Sequence, residues 1–235
     1  MLTSLIGLLL LPATTAYCNG KHWPARTSKA FPPGWNGLST TPVRGWRSWY
    51  AYYTRMNQGI IEKVIDALTA KNRTVQGWDT PVSICDLGYC MVGIDEGWEG
   101  CGLGANGSQH FANGTPATNL NLFPDMPGLV RHGHQNGLKM GWYFNGCGCW
   151  DRVEPAGGWE IDYEGDIRRM HEYGFDGVKF DGCGSLCNMT LYAELMNKTG
   201  KAYEIENCVC RGHSNPFRTF APNDPTISVT YANLT

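Results

Sequence analysis

The segment Val178-Lys179-Phe180-Asp181-Gly182-Cys183 sets an ammonium and a carboxylate two residues apart in a stretch that reads as a strand. Side chains alternate along a strand, so Lys179 and Asp181 share one face while Val178 and Phe180 share the other. A neighbouring ammonium favours the ionised carboxylate, the form that a nucleophile needs. Asp181 is therefore the first candidate for covalent chemistry, although a buried Lys–Asp pair can also serve architecture alone. A second acidic group, Asp95-Glu96, closes the apolar run that starts at Gly88. Alternation there places Val92 and Ile94 on the packing side and Asp95 opposite them, with Glu96 just beyond the strand. Such carboxylates suit paired hydrogen bonds to adjacent sugar hydroxyls. Trp49 and Trp98 are candidate stacking platforms for the apolar face of a sugar ring.

Other chemistries find little support. Cys147-Gly148-Cys149, Cys183 with Cys187, and Cys208-Val209-Cys210 form no matched CxxC units, and the six His are scattered, so no metal site is expected. There is no G-x-S-x-G elbow. Gly45-Trp46-Arg47-Ser48 is not a glycine-rich phosphate turn, which argues against a dinucleotide. No cofactor is expected.

The elements that would position these residues alternate in type. Strand-like segments at 43–50, 88–95, 138–144, 177–181 and 202–207 are separated by helical patterns at 59–70, 125–136, 163–173 and 189–198. Residues 97–121 are rich in Gly and Asn and read as a long exposed loop. Strands separated by helices predict a parallel sheet, either an open doubly wound sheet or a (β/α)8 barrel. Polar residues at successive strand ends, Asp95-Glu96, Asn145, Asp181 and Glu206-Asn207, favour the barrel, whose chemistry sits at the C-terminal ends of its strands.

Composition sets the compartment and excludes some partners. The 235-residue chain has a net charge of −2 and 17% charged residues, so neither nucleic acid nor an anionic membrane is an expected partner. Residues 5–11 form an apolar run too short to span a bilayer, followed by small residues up to Ala16, the pattern of a signal peptide. The ten Cys suit an oxidising compartment and favour disulfides over zinc. Glycosylation sequons stand at Asn72, Asn106, Asn113, Asn188, Asn197 and Asn233. Secretion, or delivery to a lysosome- or vacuole-like compartment, is the expectation. The expected organisation is a signal peptide at 1–16, an entry segment at 17–41, a partial catalytic barrel at 42–215 and a divergent tail at 216–235.

Several motifs occur in order. They are Gly45-Trp46-Arg47-Ser48-Trp49, Gly88-Tyr89 leading to Ile94-Asp95-Glu96-Gly97-Trp98, Phe123-Pro124, Gly137-Leu138-Lys139-Met140-Gly141-Trp142-Tyr143, and Tyr173-Gly174-Phe175-Asp176 running on through Asp181-Gly182-Cys183. Together they resemble family 27 of the glycoside hydrolases, the α-galactosidases and the closely similar α-N-acetylgalactosaminidases. The resemblance runs from about residue 42 to about residue 208.

It implies a retaining double displacement with Asp181 as nucleophile and a second carboxylate about 5–5.5 Å away. It also implies that Trp49, Asp95, Glu96, Tyr143, Lys179 and Glu206 bind substrate, and that Cys183 bridges to Cys147 or Cys149. The implied partner is an α-galactoside oligosaccharide or glycoconjugate, with a homodimer in the full-length form. An α-N-acetylgalactosaminide is the alternative substrate.

The chain departs from the pattern in four places. Glu96 replaces a second Asp, Gly97 stands where a half-cystine is usual, the segment from Glu204 to Cys208 matches the strand-five region only loosely, and the R-x-x-x-D motif of the acid/base is missing. Arg218 and Asp224 have the wrong spacing for that motif. About five of eight βα units precede this point, so an incomplete barrel lacking the C-terminal β-domain, with impaired or no activity, is expected. A galactose-binding pseudoenzyme and a non-functional splice or gene fragment are the competing readings.

Overall fold

The structure, a computed structural model, describes residues 43–147, 149, 162–184 and 188–208, together with 17–18, 21–22, 36 and 38. The expected signal peptide, most of the entry segment, the last residues of the expected barrel segment (209–215) and the tail at 216–235 lie outside the described residues. The chain divides into two units, Met1–Pro33 and Gly34–Thr235. In the first, β1 (Tyr17–Cys18) pairs antiparallel with β2 (Lys21–His22).

The second unit runs β3 (Gly45–Arg47), α1 (Trp49–Tyr52), α2 (Gln58–Thr69), β4 (Met91–Gly93), α3 (Met126–Gln135), β5 (Lys139–Gly146), α4 (Tyr163–Tyr173), β6 (Gly177–Gly184), α5 (Met189–Lys198) and β7 (Glu204–Cys208). Each of the four longer helices starts at an Asx cap. Asn57, Asp125, Asp162 and Asn188 accept from the backbone N–H of Ile60, Gly128, Gly165 and Leu191 at 3.0, 2.8, 2.7 and 3.1 Å. Two strands are shorter than the sequence pattern predicts. The first ends at Arg47 because the chain turns into α1 at Ser48. The second starts only at Met91, because a disulfide joins Cys85 to Cys90 and residues 84–89 are taken up in turns.

The five strands from β3 to β7 lie in sequence order and every pair is parallel. A doubly wound sheet reverses its order part-way; this one does not, and it is an arc of a (β/α)8 barrel. Curvature is visible in a single ion pair. Arg47 on β3 and Glu206 on β7 stand on the two edges of the sheet, yet Arg47 Nη2 donates to Glu206 Oε2 at 2.8 Å. In a flat sheet four strand spacings, about 19 Å, would separate those strands, far beyond an arginine's reach. The interior must therefore be concave. Gly93 opens the route, because a Cβ there would sit 2.8 Å from the Arg47 guanidinium carbon.

The opposite face of the sheet meets the helices. Val92, Ile94, Trp142, Phe144, Val178 and Phe180 bury against Ile61 and Ile65 of α2, Leu129 and Val130 of α3, Ile167 and Met170 of α4, and Tyr192 and Met196 of α5. Trp142 stacks on Phe175 at 4.8 Å. The segment 97–121 is not the exposed loop that its composition implies, since Trp98, Glu99, Gln109, His110, Thr115, Ala117 and Thr118 are all buried. His110 Nε2 pairs with Asp166 Oδ1 on α4 at 2.8 Å, and Tyr192 on α5 donates to the other Asp166 oxygen at 2.9 Å. Those contacts pull the loop onto the helices. The sequons at Asn72, Asn106, Asn113, Asn188 and Asn197 are exposed. Among the described residues no helix is long and apolar enough to cross a membrane.

Gly93→Ala should displace the Arg47 guanidinium and destabilise the fold by about 1–3 kcal/mol. The same change in an Arg47→Ala background should cost much less. A double-mutant cycle from urea unfolding measures the difference, and equal costs in both backgrounds would contradict the crossing of Arg47 over Gly93.

Candidate active site

Strand register builds the site. Tyr143, Lys179 and Glu206 stand side by side on β5, β6 and β7, and Asn145 lies beside Asp181 two residues further on. These positions belong to the face opposite Val178 and Phe180, so alternation turns them inward. Asp95 stands two residues past the end of β4, and its backbone N–H is held by Ser48 Oγ at 2.9 Å.

Lys179 is the centre of this group. Its Nζ donates to Asp95 Oδ1 and Oδ2 at 3.1 and 2.9 Å and lies 3.0 Å from Asp181 Oδ2. Its ammonium also lies 5.1 Å from the Tyr143 ring centroid and 6.0 Å from that of Trp49. Burial by itself would lower the Lys179 pKa. The Asp95 and Asp181 carboxylates outweigh that effect and hold it above the ordinary lysine value. Asp95 is 1% exposed and Lys179 is 5% exposed, whereas the Asp181 side chain keeps 27% of its surface open. Of the two carboxylates on the lysine, then, Asp181 is the one an incoming molecule can reach. The backbone N–H of Gly182 donates to its Oδ1 at 2.8 Å, so Oδ1 and Oδ2 both have a donor and the carboxylate is fixed in place.

The structure brings Asp95, Tyr143, Lys179, Asp181 and Trp49 together, and it places Glu206 in the same interior row. Glu96 is buried beside Asp95, its N–H donating to Asp95 Oδ1 at 3.0 Å. Trp98 is not a stacking platform. It is 1% exposed, its ring lies 4.3 Å from that of Trp142, and its Nε1 donates to the Tyr143 carbonyl at 3.1 Å. The tryptophan follows the positive-φ residue Gly97 (φ 115) and is turned toward the helix layer. Trp49 is only half-buried and stays at the site.

Cys149 is bonded to Cys101, which removes one of the two pairings expected for Cys183. Cys147 is also disulfide-bonded. The Cys183 side chain lies outside the described residues. Among those residues no group of His, Cys, Asp and Glu is arranged to hold a metal ion.

Sequence reasoning missed two residues. Arg47 enters the interior with its Nη1 3.7 Å from Asp95 Oδ2, in addition to its bond to Glu206. Alternation from Trp46 could have placed it there, because it is a charged residue at a strand end like Asp95 and Asp181. Glu99 is 2% exposed, accepts from the Gly97 N–H at 2.7 Å, and lines a cavity of about 10 Å³ with His110, Asn145 and Asp166. That space is near the minimum for one water molecule. No sequence signal marked Glu99, because its burial depends on how the loop packs.

Burial pushes the Glu99 carboxyl from the ordinary 4.5 up to about 8. The N–H groups of Glu99 and Gly97 oppose the rise, while the Glu96 and Asp95 carboxylates add to it. Between those two pH values the native chain keeps a proton that the unfolded chain has lost. Stability should therefore fall as pH rises from about 4.5 to about 8 and then level off. The slope due to this group is at most about 1.4 kcal/mol per pH unit.

No family model matches the chain. The α-galactosidase of Oryza sativa subsp. japonica is 30% identical over 175 residues, which cover 72% of this chain and 36% of that protein. The probable α-galactosidase B of Penicillium simplicissimum is 30% identical over 183 residues, covering 77% of this chain and 38% of that one. The solved α-galactosidase of Saccharomyces cerevisiae matches with a TM-score of 0.58 at 20% identity, over 76% of this chain and 37% of that one, a likeness of fold. The chain thus spans between a fifth and little more than a third of the length of the curated relatives it matches. The resemblance to α-galactosidases carried by the motifs is borne out over about 70% of the chain.

Glu99→Gln keeps the acceptor for Gly97 but has no proton to lose. Melting temperatures measured from pH 5 to pH 8 should fall in the parent chain and flatten in this variant; parallel curves would exclude Glu99 as the titrating group.

Proposed function

We propose that this relative of the α-galactosidases has a retaining-type site for a terminal α-linked galactose, with Asp181 as the nucleophile. The observation that carries the reading is the shared ammonium. Lys179 is paired with buried Asp95 on one side and with partly open Asp181 on the other. Asp95 is the sugar-binding carboxylate in this reading, Glu96 and Glu206 contribute further hydroxyl contacts, and Trp49 offers a ring face. The burial of Asp95, Tyr143 and Lys179 on the concave face supports a place for them at the floor of the site.

In the first half-reaction an Asp181 oxygen would attack C1 from the face opposite the leaving group. The O–C1 bond forms, the glycosidic C1–O bond breaks, and the leaving oxygen takes its electron pair and a proton from a general acid. Lys179 serves this step by holding the Asp181 carboxylate in place through its ammonium, 3.0 Å from Oδ2. After attack the bond to the acylal oxygen weakens that ion pair, while Asp95 keeps the ammonium anchored. No described residue is assigned the acid/base role. The reading therefore requires a leaving group that needs no proton, or a carboxylate outside the described residues.

The disulfides Cys85–Cys90 and Cys101–Cys149 and the exposed sequons support passage through an oxidising secretory compartment. An acidic destination also fits, because Glu99 destabilises the fold as the pH rises from about 4.5 to about 8.

The experiment separates the nucleophile from the acid. Fluoride leaves C1 without protonation, so incubation with α-galactosyl fluoride should transfer one galactosyl group to the chain. Peptide mass spectrometry should locate it on Asp181, and Asp181→Asn should abolish labelling. Labelling elsewhere, or none on a chain that still melts cooperatively, would refute the assignment.

A further inference from the structure

The short helix that follows β3 carries more aromatic surface than the galactose-binding role uses. Trp49, Tyr50, Tyr52 and Tyr53 occur within five residues, and Tyr50 and Tyr53 are 89% and 58% exposed. A single exposed aromatic needs no explanation, but a contiguous group at the mouth of a site does. The group is joined to the site through Trp49. Lys179 Nζ lies 6.0 Å from the Trp49 ring, and that ring meets Tyr53 edge-on at 5.3 Å between centroids. Two rings therefore lead outward from the ammonium that holds Asp181 and Asp95.

Tyr53 is also held in an unusual backbone state. Its φ of 50° and ψ of −129° belong to the first central position of a type II′ turn, and the Arg55 N–H closes that turn on the Tyr52 carbonyl at 2.9 Å. Glycine is the ordinary occupant of that position, and a side chain there is strained. The turn is pinned from the other side, since a Cβ on Gly97 would lie 2.9 Å from Thr54 Cα and Thr54 O. A bulky residue thus occupies a position that suits glycine, and its ring stands half in solvent beside Trp49.

We propose that the Tyr53 ring, with Tyr50 open beside it on the same turn of chain, is an aglycone subsite that stacks the pyranose ring attached to galactose. The C–H face of a hexopyranose carries partial positive charge and matches the negative face of an aromatic ring. The ligand class is an α-galactosyl disaccharide or longer oligosaccharide, in preference to a simple alkyl galactoside. This inference rests on the galactose-site reading above, with Trp49 marking the boundary between the two sugars.

Binding by calorimetry tests it with ligands that cannot turn over. One is methyl 1-thio-α-D-galactopyranoside; the other is the S-linked α-galactosyl-(1→6)-glucose disaccharide. The disaccharide should bind the full chain several-fold more tightly. Tyr53→Gly removes the ring and relieves the backbone cost, so its melting temperature should not fall. It should bind both ligands equally, with the methyl galactoside affinity unchanged. Tyr53→Phe should keep the preference.

Equal affinities in the parent chain, or a preference that survives Tyr53→Gly, would overturn the subsite and leave the galactose site standing. Failure of both ligands to bind would overturn the galactose reading and the subsite with it.

Discussion

A buried ammonium cannot stand alone in a protein interior, and Lys179 is such an ammonium. Its two carboxylate partners come from different strands. Asp95 leaves β4 and Asp181 sits on β6, with β5 between them. The strands must curl for one nitrogen to reach both. That curvature also lets Arg47 reach Glu206 from edge to edge and crowds Tyr143 over the lysine. Charge pairing and sheet curvature are two expressions of one constraint, and removing either would leave uncompensated charge on the concave face.

The concave face is unequal in its solvent access. Asp95 and Glu96 are shut in, while Asp181 retains an open edge. Behind them Glu99 holds the turn at Gly97, and the Glu99 cavity extends to the His110–Asp166 pair that fastens the loop to α4. The loop that carries two sequons on its outer side thus supports the carboxylate end of the site on its inner side. The disulfide from Cys101 to Cys149 ties the same loop to the chain just past β5. The inward-facing residues are therefore backed by packed structure on two sides, which fixes their orientation.

Much of the site was legible because the relevant signals are local. Val178 and Phe180 alternate with Lys179 and Asp181, and the Asx residues before each long helix mark where it starts. The failures are of a different kind. Trp98 has the type of a stacking platform and sits two residues after Glu96, yet the turn at Gly97 sends it into the aromatic core. The segment 97–121 has the composition of a solvent loop, yet its buried residues pack onto α4 and α5. Glycine and asparagine content reports on backbone freedom, not on what the loop lies against.

By itself the sequence determined the order of strands and helices, the face on which each strand residue falls, and the motif string that resembles the α-galactosidases. The first two follow from local periods, two residues in a strand and 3.6 in a helix; the third is a resemblance carried by the motif residues themselves. Tertiary structure alone decided that Arg47 meets Glu206, that Cys101 takes Cys149, that Glu99 keeps its proton to about pH 8, and that Trp98 is core. Each of those depends on segments distant in sequence meeting across a curved sheet or a folded loop, and no local period encodes the distance between them.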